Sequence, residues 1–315
     1  MAAHLNIIVQ SNGVGLDRDA NLLKEIAEGA DYQVTVSHCR SISSWNRWMP
    51  ARKRFDANLF LERVFPRWIN SADVNLLIPN QERFPKRHLA RLKKIDHILC
   101  KSRHALEIFS EHHPNCELIG FTSLNLDRSE IERKKSGIFH LAGKSSLKGT
   151  ETILDRWRAH SEWPTLTLLQ HKEKAPGEVP KNVQLITDYL SNEDLIRLAN
   201  EYPVHLCPSL SEGWGHYIVE AMSCGAVVVT TDGPPMNELV SADRGILVPV
   251  SKDEPRHLGT NFHVDPEAFD IAINQVLTMT EGQRLAIGHE AREWAEKNSA
   301  EFSKNFVETL QSLLH

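Results

Sequence analysis

Short apolar runs alternate with stretches of helical period along most of the chain. Residues 5–10, Leu-Asn-Ile-Ile-Val-Gln, read as a buried parallel strand. A glycine-bearing loop follows, then a helix over 19–28. Strands are predicted at 33–37, 58–61, 74–79, 97–100 and 117–120, with a basic helix over 86–94. Ser102 stands where it can cap a helix running to about His112.

A polar stretch over 127–136 lacks any strand period, and the domain boundary is placed there. This gives an N-terminal domain over 1–132 and a C-terminal one over 137–315. The alternation then restarts. Strands are predicted at 138–142, 166–169, 183–186, 204–207, 226–230 and 245–249. Helices are predicted at 149–159, 193–201, 215–223 and 236–240, with a mostly helical tail from Pro266. The pattern predicts an α/β protein of two Rossmann-like domains with a cleft at the carboxyl ends of their strands.

Composition agrees with a globular chain. Of 315 residues 41% are hydrophobic and 24% charged. No apolar run approaches the about 20 residues of a membrane span. The first residues lack the basic head and long apolar stretch of a signal peptide. The five cysteines lie far apart with no CxxC pair, so reduced thiols in a cytoplasmic protein are expected. Charge is uneven. Residues 1–136 carry 21 basic and 16 acidic side chains, whereas 137–315 carry 15 and 25. Within the first half, residues 40–104 hold 15 basic and 5 acidic residues. Such a split suits two domains facing different partners, or solvated helix faces alone.

The densest chemistry lies in Cys207-Pro-Ser-Leu-Ser-Glu-Gly-Trp-Gly-His-Tyr-Ile-Val-Glu-Ala-Met-Ser-Cys-Gly225. A strand ends at Pro208, a loop presents Glu212 with Gly213 and Gly215, and a helix begins. Its unpaired N–H groups and positive dipole end suit a phosphate. Glu220 follows Glu212 by eight positions, so the two carboxylates reach different parts of one extended ligand.

This stretch resembles the C-terminal domain of retaining GT-B glycosyltransferases of family 4, whose signature is a Glu, seven residues and a second Glu. Glu212, Gly213, Gly215, Glu220, Ala221, Met222 and Gly225 match it, and Trp214 replaces the usual Phe. The resemblance implies transfer of a sugar from a nucleoside diphosphate sugar, with retention and with neither bound metal nor cofactor. Glu220 would hold the donor ribose, Glu212 the donor sugar, and the N–H groups near Gly215 and His216 the diphosphate or sugar. A second match is His140-Leu-Ala-Gly-Lys-Ser-Ser-Leu-Lys-Gly149. Gly143, Lys148 and Gly149 match the family's phosphate-holding loop, and Lys144 stands where an Arg is usual. A preplaced cation there would stabilise the charge growing on the departing diphosphate. A sugar-nucleotide epimerase, or a module binding sugar nucleotides or glycans without catalysis, would share this donor pocket.

The first half resembles the family less. Gly13 and Gly15 sit where it has a glycine-rich loop, which serves donor approach or a plain turn. The middle strand ends in Asn80-Gln81-Glu82, without the usual histidine; Glu82 is a candidate base or acceptor contact, or a helix-start carboxylate. Asp17-Arg-Asp19 has the form of a metal–diphosphate motif but lies at a helix start, where acids are favoured anyway. Arg47, Arg52, Lys53 and Arg54, with Trp45, Trp48 and Phe55, would bind an anionic acceptor (a lipid-linked or polysaccharide intermediate, with peripheral association to an anionic membrane, or nucleic acid), or else form a plain loop with partly buried tryptophans.

Overall fold

The computed structural model describes residues 2–11, 15–41 and 54–314. They form two compact units. Unit 1 comprises residues 1–121, 255–259 and 299–315, and unit 2 comprises 122–254 and 260–298. Contacts thus divide the chain nearer Phe121 than the polar stretch at 127–136. The reason is that the connecting segment packs on unit 2. Asn200 Nδ2 donates to Leu126 O at 2.7 Å, and the Leu126 N–H donates to Ser223 Oγ at 3.0 Å. The end of the last helix belongs to unit 1, where Phe302 packs against Phe121 at 5.0 Å between ring centres.

Unit 1 holds β1 (His4–Val9), α1 (Gly15–Gly29), β2 (Gln33–His38), β3 (Phe55–Glu62), β4 (Ala72–Pro79), β5 (His97–Cys100), α2 (Arg103–Ser110) and β6 (Cys116–Leu118). The six strands are parallel, in the order β2-β1-β3-β4-β5-β6. Ser102 caps α2, its side chain accepting from the Ala105 N–H. The basic helix predicted over 86–94 is a 3-10 segment behind Pro85. Phe55, counted with the basic aromatic loop, instead opens β3 with its ring against His4, 4.8 Å between centres. A polar row crosses the sheet: Ser37 Oγ donates to Asn6 Oδ1 at 2.7 Å, Asn6 Nδ2 to Asn58 Oδ1 at 2.9 Å, and Asn58 Nδ2 to Asn75 Oδ1 at 3.0 Å. Buried amides are tolerated here because each finds a partner on the next strand.

Unit 2 holds β7 (Ile138–Gly143), α3 (Thr150–Ala159), β8 (Leu166–Gln170), β9 (Val183–Ile186), α4 (Asn192–Glu201), β10 (Val204–Cys207), α5 (His216–Ser223), β11 (Val227–Thr231), α6 (Met236–Leu239), β12 (Ile246–Val248), β13 (Val250–Arg256), β14 (Gly259–Val264), α7 (Pro266–Thr278) and α8 (Glu281–Leu314), except where β13, β14 and α8 run into unit 1. Its parallel sheet is ordered β12-β11-β10-β7-β8-β9, the order of a dinucleotide-binding Rossmann domain. Trp157, Phe269 and Ile273 are fully buried beside Leu166, Leu206 and Val229. Each such side chain contributes about 1.5–3 kcal/mol by leaving water. The ribbon of β13 and β14 has no counterpart in the predicted elements, because β13 is polar almost throughout and β14 offers only Phe262 and Val264 as apolar positions. All five cysteines are free thiols.

Candidate active site

In an open parallel sheet, ligands bind beyond the carboxyl ends of the strands where the winding reverses. In unit 2 that point lies between β7 and β10, which are neighbours. The two motif-bearing loops leave from these two strands. They are locked backbone to backbone. The Leu210 N–H donates to Leu147 O at 2.8 Å. Gly149 has φ +72, and a Cβ there would lie 2.1 Å from Pro208 O. Only glycine permits this approach.

The lock sets Lys148 on Glu212. Lys148 Nζ donates to Glu212 Oε1 at 2.7 Å, with the side chains 17% and 15% exposed. The same oxygen accepts from Ser209 Oγ at 2.5 Å. Ser209 Oγ also bonds Tyr217 Oη at 2.6 Å, and Lys148 Nζ lies 3.4 Å from the centre of the Tyr217 ring. Burial first, with the carboxylate of Glu212 nearby, pushes the Tyr217 phenol well above its ordinary value, so it stays a neutral hydroxyl. From β11, Thr230 and Thr231 donate to Cys207 O and Ser209 O, each at 2.7 Å, bracing the loop.

Gly215 is the N-cap of α5 at φ +114, with Leu239 Cδ1 only 2.9 Å from where its Cβ would be. Around it, the Trp214 indole donates to Ser123 Oγ at 3.2 Å, and Ser123 Oγ bonds His216 Nδ1 at 2.9 Å. Gly213 and Trp214 are buried. Glu220, 4% exposed, lies one turn beyond His216 on α5. Gly143 ends β7 at φ +57 in open space, and Lys144 is exposed. Beneath the loops, His140 Nδ1 meets Leu206 O at 2.7 Å and Nε2 meets Thr150 Oγ1 at 2.9 Å. Burial drives its pKa down to about 4, so the ring is neutral and structural.

The structure therefore brings Lys148 and Glu212 into contact and places Gly143, Lys144, Gly213, Trp214, Gly215, His216 and Glu220 on the two loops and the start of α5. Ser209, Tyr217 and Ser123 were not singled out by the motif; their roles depend on partners across loops. The other candidates lie in unit 1. Glu82, 6% exposed, sits in a single 3-10 turn, Gln81–Arg83. Gly15 opens α1, and a Cβ there would meet nothing within 4 Å, so packing does not demand a glycine. Arg54 is exposed, its N–H donating to Ser71 O at 2.8 Å. Asp19 forms a buried pair with Lys101 at 2.5 Å, and Asp17 accepts from Ser11 Oγ at 2.9 Å. Gly13, Trp45, Arg47, Trp48, Arg52 and Lys53 lie outside the described residues. Among the described residues no helix is long and apolar enough to cross a membrane.

Residues 170–294 match the family model described as glycosyl transferases group 1. The chain is 26% identical over 170 residues to a protein of Sulfolobus islandicus rod-shaped virus 1 described as an uncharacterized glycosyltransferase, and spans about half the length of that curated relative. Solved structures resemble the whole chain. HepE of Anabaena, described in complex with UDP and glucose, has a TM-score of 0.72 at 15% identity, covering 98% of this chain and 100% of its own. Sucrose-phosphate synthase of Thermosynechococcus elongatus gives 0.73 at 14%, covering 99% of each chain. A glycosyltransferase of Rickettsia africae gives 0.73 at 11%, covering 99% and 98%. Two parallel-sheet α/β units, wound in this order and matching these structures over their whole length, are the GT-B fold of glycosyltransferases.

Proposed function

We propose that the protein is a retaining glycosyltransferase that moves a sugar from a nucleoside diphosphate sugar to an acceptor hydroxyl. The observation that carries this reading is the Lys148–Glu212 pair, held at the winding reversal of unit 2 and at the start of α5. Uridine nucleotides are the first donors to test, since HepE is described with UDP and with UDP-glucose.

In this reading the start of α5 and Lys148 hold the diphosphate. Lys148 moves part of its hydrogen bonding from Glu212 to a phosphate oxygen. As the bond between the sugar's anomeric carbon and the phosphate oxygen breaks, charge grows on that oxygen, and a fixed cation stabilises it more than it stabilises the bound donor. Glu212 takes up sugar hydroxyls, and Glu220 the two ribose hydroxyls. The acceptor hydroxyl attacks from the face that the leaving group vacates, which retains the anomeric configuration. Unit 1 carries the acceptor, an anionic one given the basic residues 40–104. A lipid-linked or polysaccharide intermediate at the inner membrane face fits this better than nucleic acid.

A thermal-shift screen of nucleotide sugars followed by product analysis tests the proposal, because a ligand that binds only the folded state raises the melting temperature. Transfer with retained configuration is expected. Epimerisation or hydrolysis of the donor across a full acceptor panel, with no transfer, would replace this reading with the epimerase one.

A further inference from the structure

Unit 1 gathers a cluster of arginines at a place that no motif marks. Its own winding reversal lies between β1 and β3, and Arg63 follows β3 directly. Glu62, the last residue of β3, is 8% exposed, left-handed at φ +67, and paired with Arg63. Beyond β4, the turn Gln81–Arg83 brings in Arg83, and the 3-10 segment Lys86–Lys94 brings in Arg87, His88 and Arg91.

The tip joining β13 to β14 supplies the rest. Leu258 packs on the cluster of Phe60, Val64, Phe84 and Leu92. A Cβ on Gly259 would lie 3.1 Å from Gln81 Cγ, so the tip is seated on the turn after β4. This sets His257 among arginines: burial first, then the charges of Arg256, Arg83, Arg63 and Arg87, hold its pKa below the ordinary imidazole value. Burial and then Arg91, Arg87 and Arg63 do the same to His88. His257 is also left-handed, at φ +55.

Five arginines (Arg63, Arg83, Arg87, Arg91 and Arg256) and two histidines (His88 and His257) thus gather beside Glu62 and the turn Gln81–Arg83. The Nε–H groups of Arg63 and Arg256 and the Nδ1 of His88, itself 7% exposed, are buried and make no hydrogen bond among the described residues. Crowded like charges and unmade buried bonds each cost free energy, and an anion relieves both. Guanidinium forks match the paired oxygens of a phosphate better than any other side chain does. We propose that Arg63, Arg83, Arg87 and Arg256, with His88 and His257, form a binding site for a phosphate group carried by the acceptor. The assignment rests on the reading of unit 1 as the acceptor-bearing half.

The test reads phosphate binding apart from transfer. Inorganic phosphate and phenyl phosphate are titrated by calorimetry into the full chain carrying Lys148→Ala, which removes the cation of unit 2. Adding Arg63→Gln with Arg256→Gln, or the exposed pair Arg83→Gln with Arg87→Gln, should weaken binding about tenfold or more. In chains that keep Lys148, the same substitutions should leave UDP affinity within about twofold, because all four arginines belong to unit 1. Failure of UDP binding alone would count against the donor reading and not against this site. Pelleting with vesicles of phosphatidic acid and of phosphatidylcholine separates the sources. Pelleting with phosphatidic acid alone that the arginine substitutions abolish assigns a lipid headgroup. Loss of soluble phosphate binding with no pelleting assigns a soluble acceptor. Binding of phosphate that neither arginine pair alters, or no binding of any of these probes, overturns the proposal.

Discussion

Lys148 Nζ and Ser209 Oγ converge on one oxygen of Glu212, at 2.7 and 2.5 Å, while the same ammonium rests on the face of the Tyr217 ring. An ammonium shared between a carboxylate and an aromatic face is aimed before any ligand arrives. Lys148→Ala should lower turnover by the equivalent of about 2–4 kcal/mol, as for loss of other preorganised groups. Lys144→Ala should cost far less, since Lys144 is exposed. Steady-state kinetics with a donor found by thermal shift checks this, and equal losses would refute the assigned roles.

The two glutamates should separate by kinetic parameter. Glu220→Ala should mainly raise the donor KM, and Glu212→Ala mainly lower kcat. Near-normal transfer by both variants would remove them from the site.

Gly149 and Gly143 offer a matched pair. Both have positive φ, which costs a non-glycine residue about 1–2 kcal/mol. Only Gly149 also faces a backbone oxygen, 2.1 Å from the position of a Cβ; Gly143 faces open space. Gly149→Ala should therefore add an overpacking cost of about 1–3 kcal/mol and part the two loops. Chemical denaturation and transfer assays should show both defects for Gly149→Ala and a mild one for Gly143→Ala.

Stability should depend on acid through two histidines of unit 2. Burial drives both His140 and His205 down to about 4. Above the ordinary imidazole pKa both states are uncharged and nothing is lost. As pH falls from about 6.5 towards 4, the unfolded chain takes up protons that the folded one refuses, so stability falls, by about 3 kcal/mol for each ring. Denaturation midpoints from pH 4.5 to 7 should rise with pH, with a shallower rise in His205→Gln. An unchanged slope in that variant would show that His205 does not titrate this way.

Asp19 and Lys101 form a buried pair, both 3% exposed, with Lys101 also over the Phe121 ring at 4.1 Å. Removing Lys101 takes away the buried counter-charge of Asp19, so Lys101→Met should destabilise by about 3–5 kcal/mol. Adding Asp19→Asn should recover much of this loss. Urea denaturation of both variants measures it.

The two loops of unit 2 were legible as neighbours in a motif because the pattern that marks them is local: Glu212 and Glu220 lie eight positions apart, and Lys148 next to Gly149. Parallel strands were legible from short apolar runs, but the strand order was not, because it is fixed by pairings between distant segments. Ser123 gave no signal, since its partner His216 lies 93 positions away. The arginine cluster was hidden in the same way: the general basicity of residues 40–104 was visible, yet Arg256 and His257 join it from a ribbon whose polar strands carry no apolar period.

The row of Ser37, Asn6, Asn58 and Asn75 has a consequence for how unit 1 assembles. Each amide bonds a side chain on another strand, 17 to 52 positions away, although Asn58 and Asn75 also donate to the nearer carbonyls of Trp68 and Ile69; a one-residue slip would turn each amide to the opposite face. A half-built sheet therefore leaves this row partly satisfied in an apolar interior, where an incomplete polar network is costly. Intermediate pairings are disfavoured, and the nucleus must close long loops before the row is complete. Amide hydrogens of β1, β3 and β4 should accordingly exchange together, through one shared opening, rather than strand by strand.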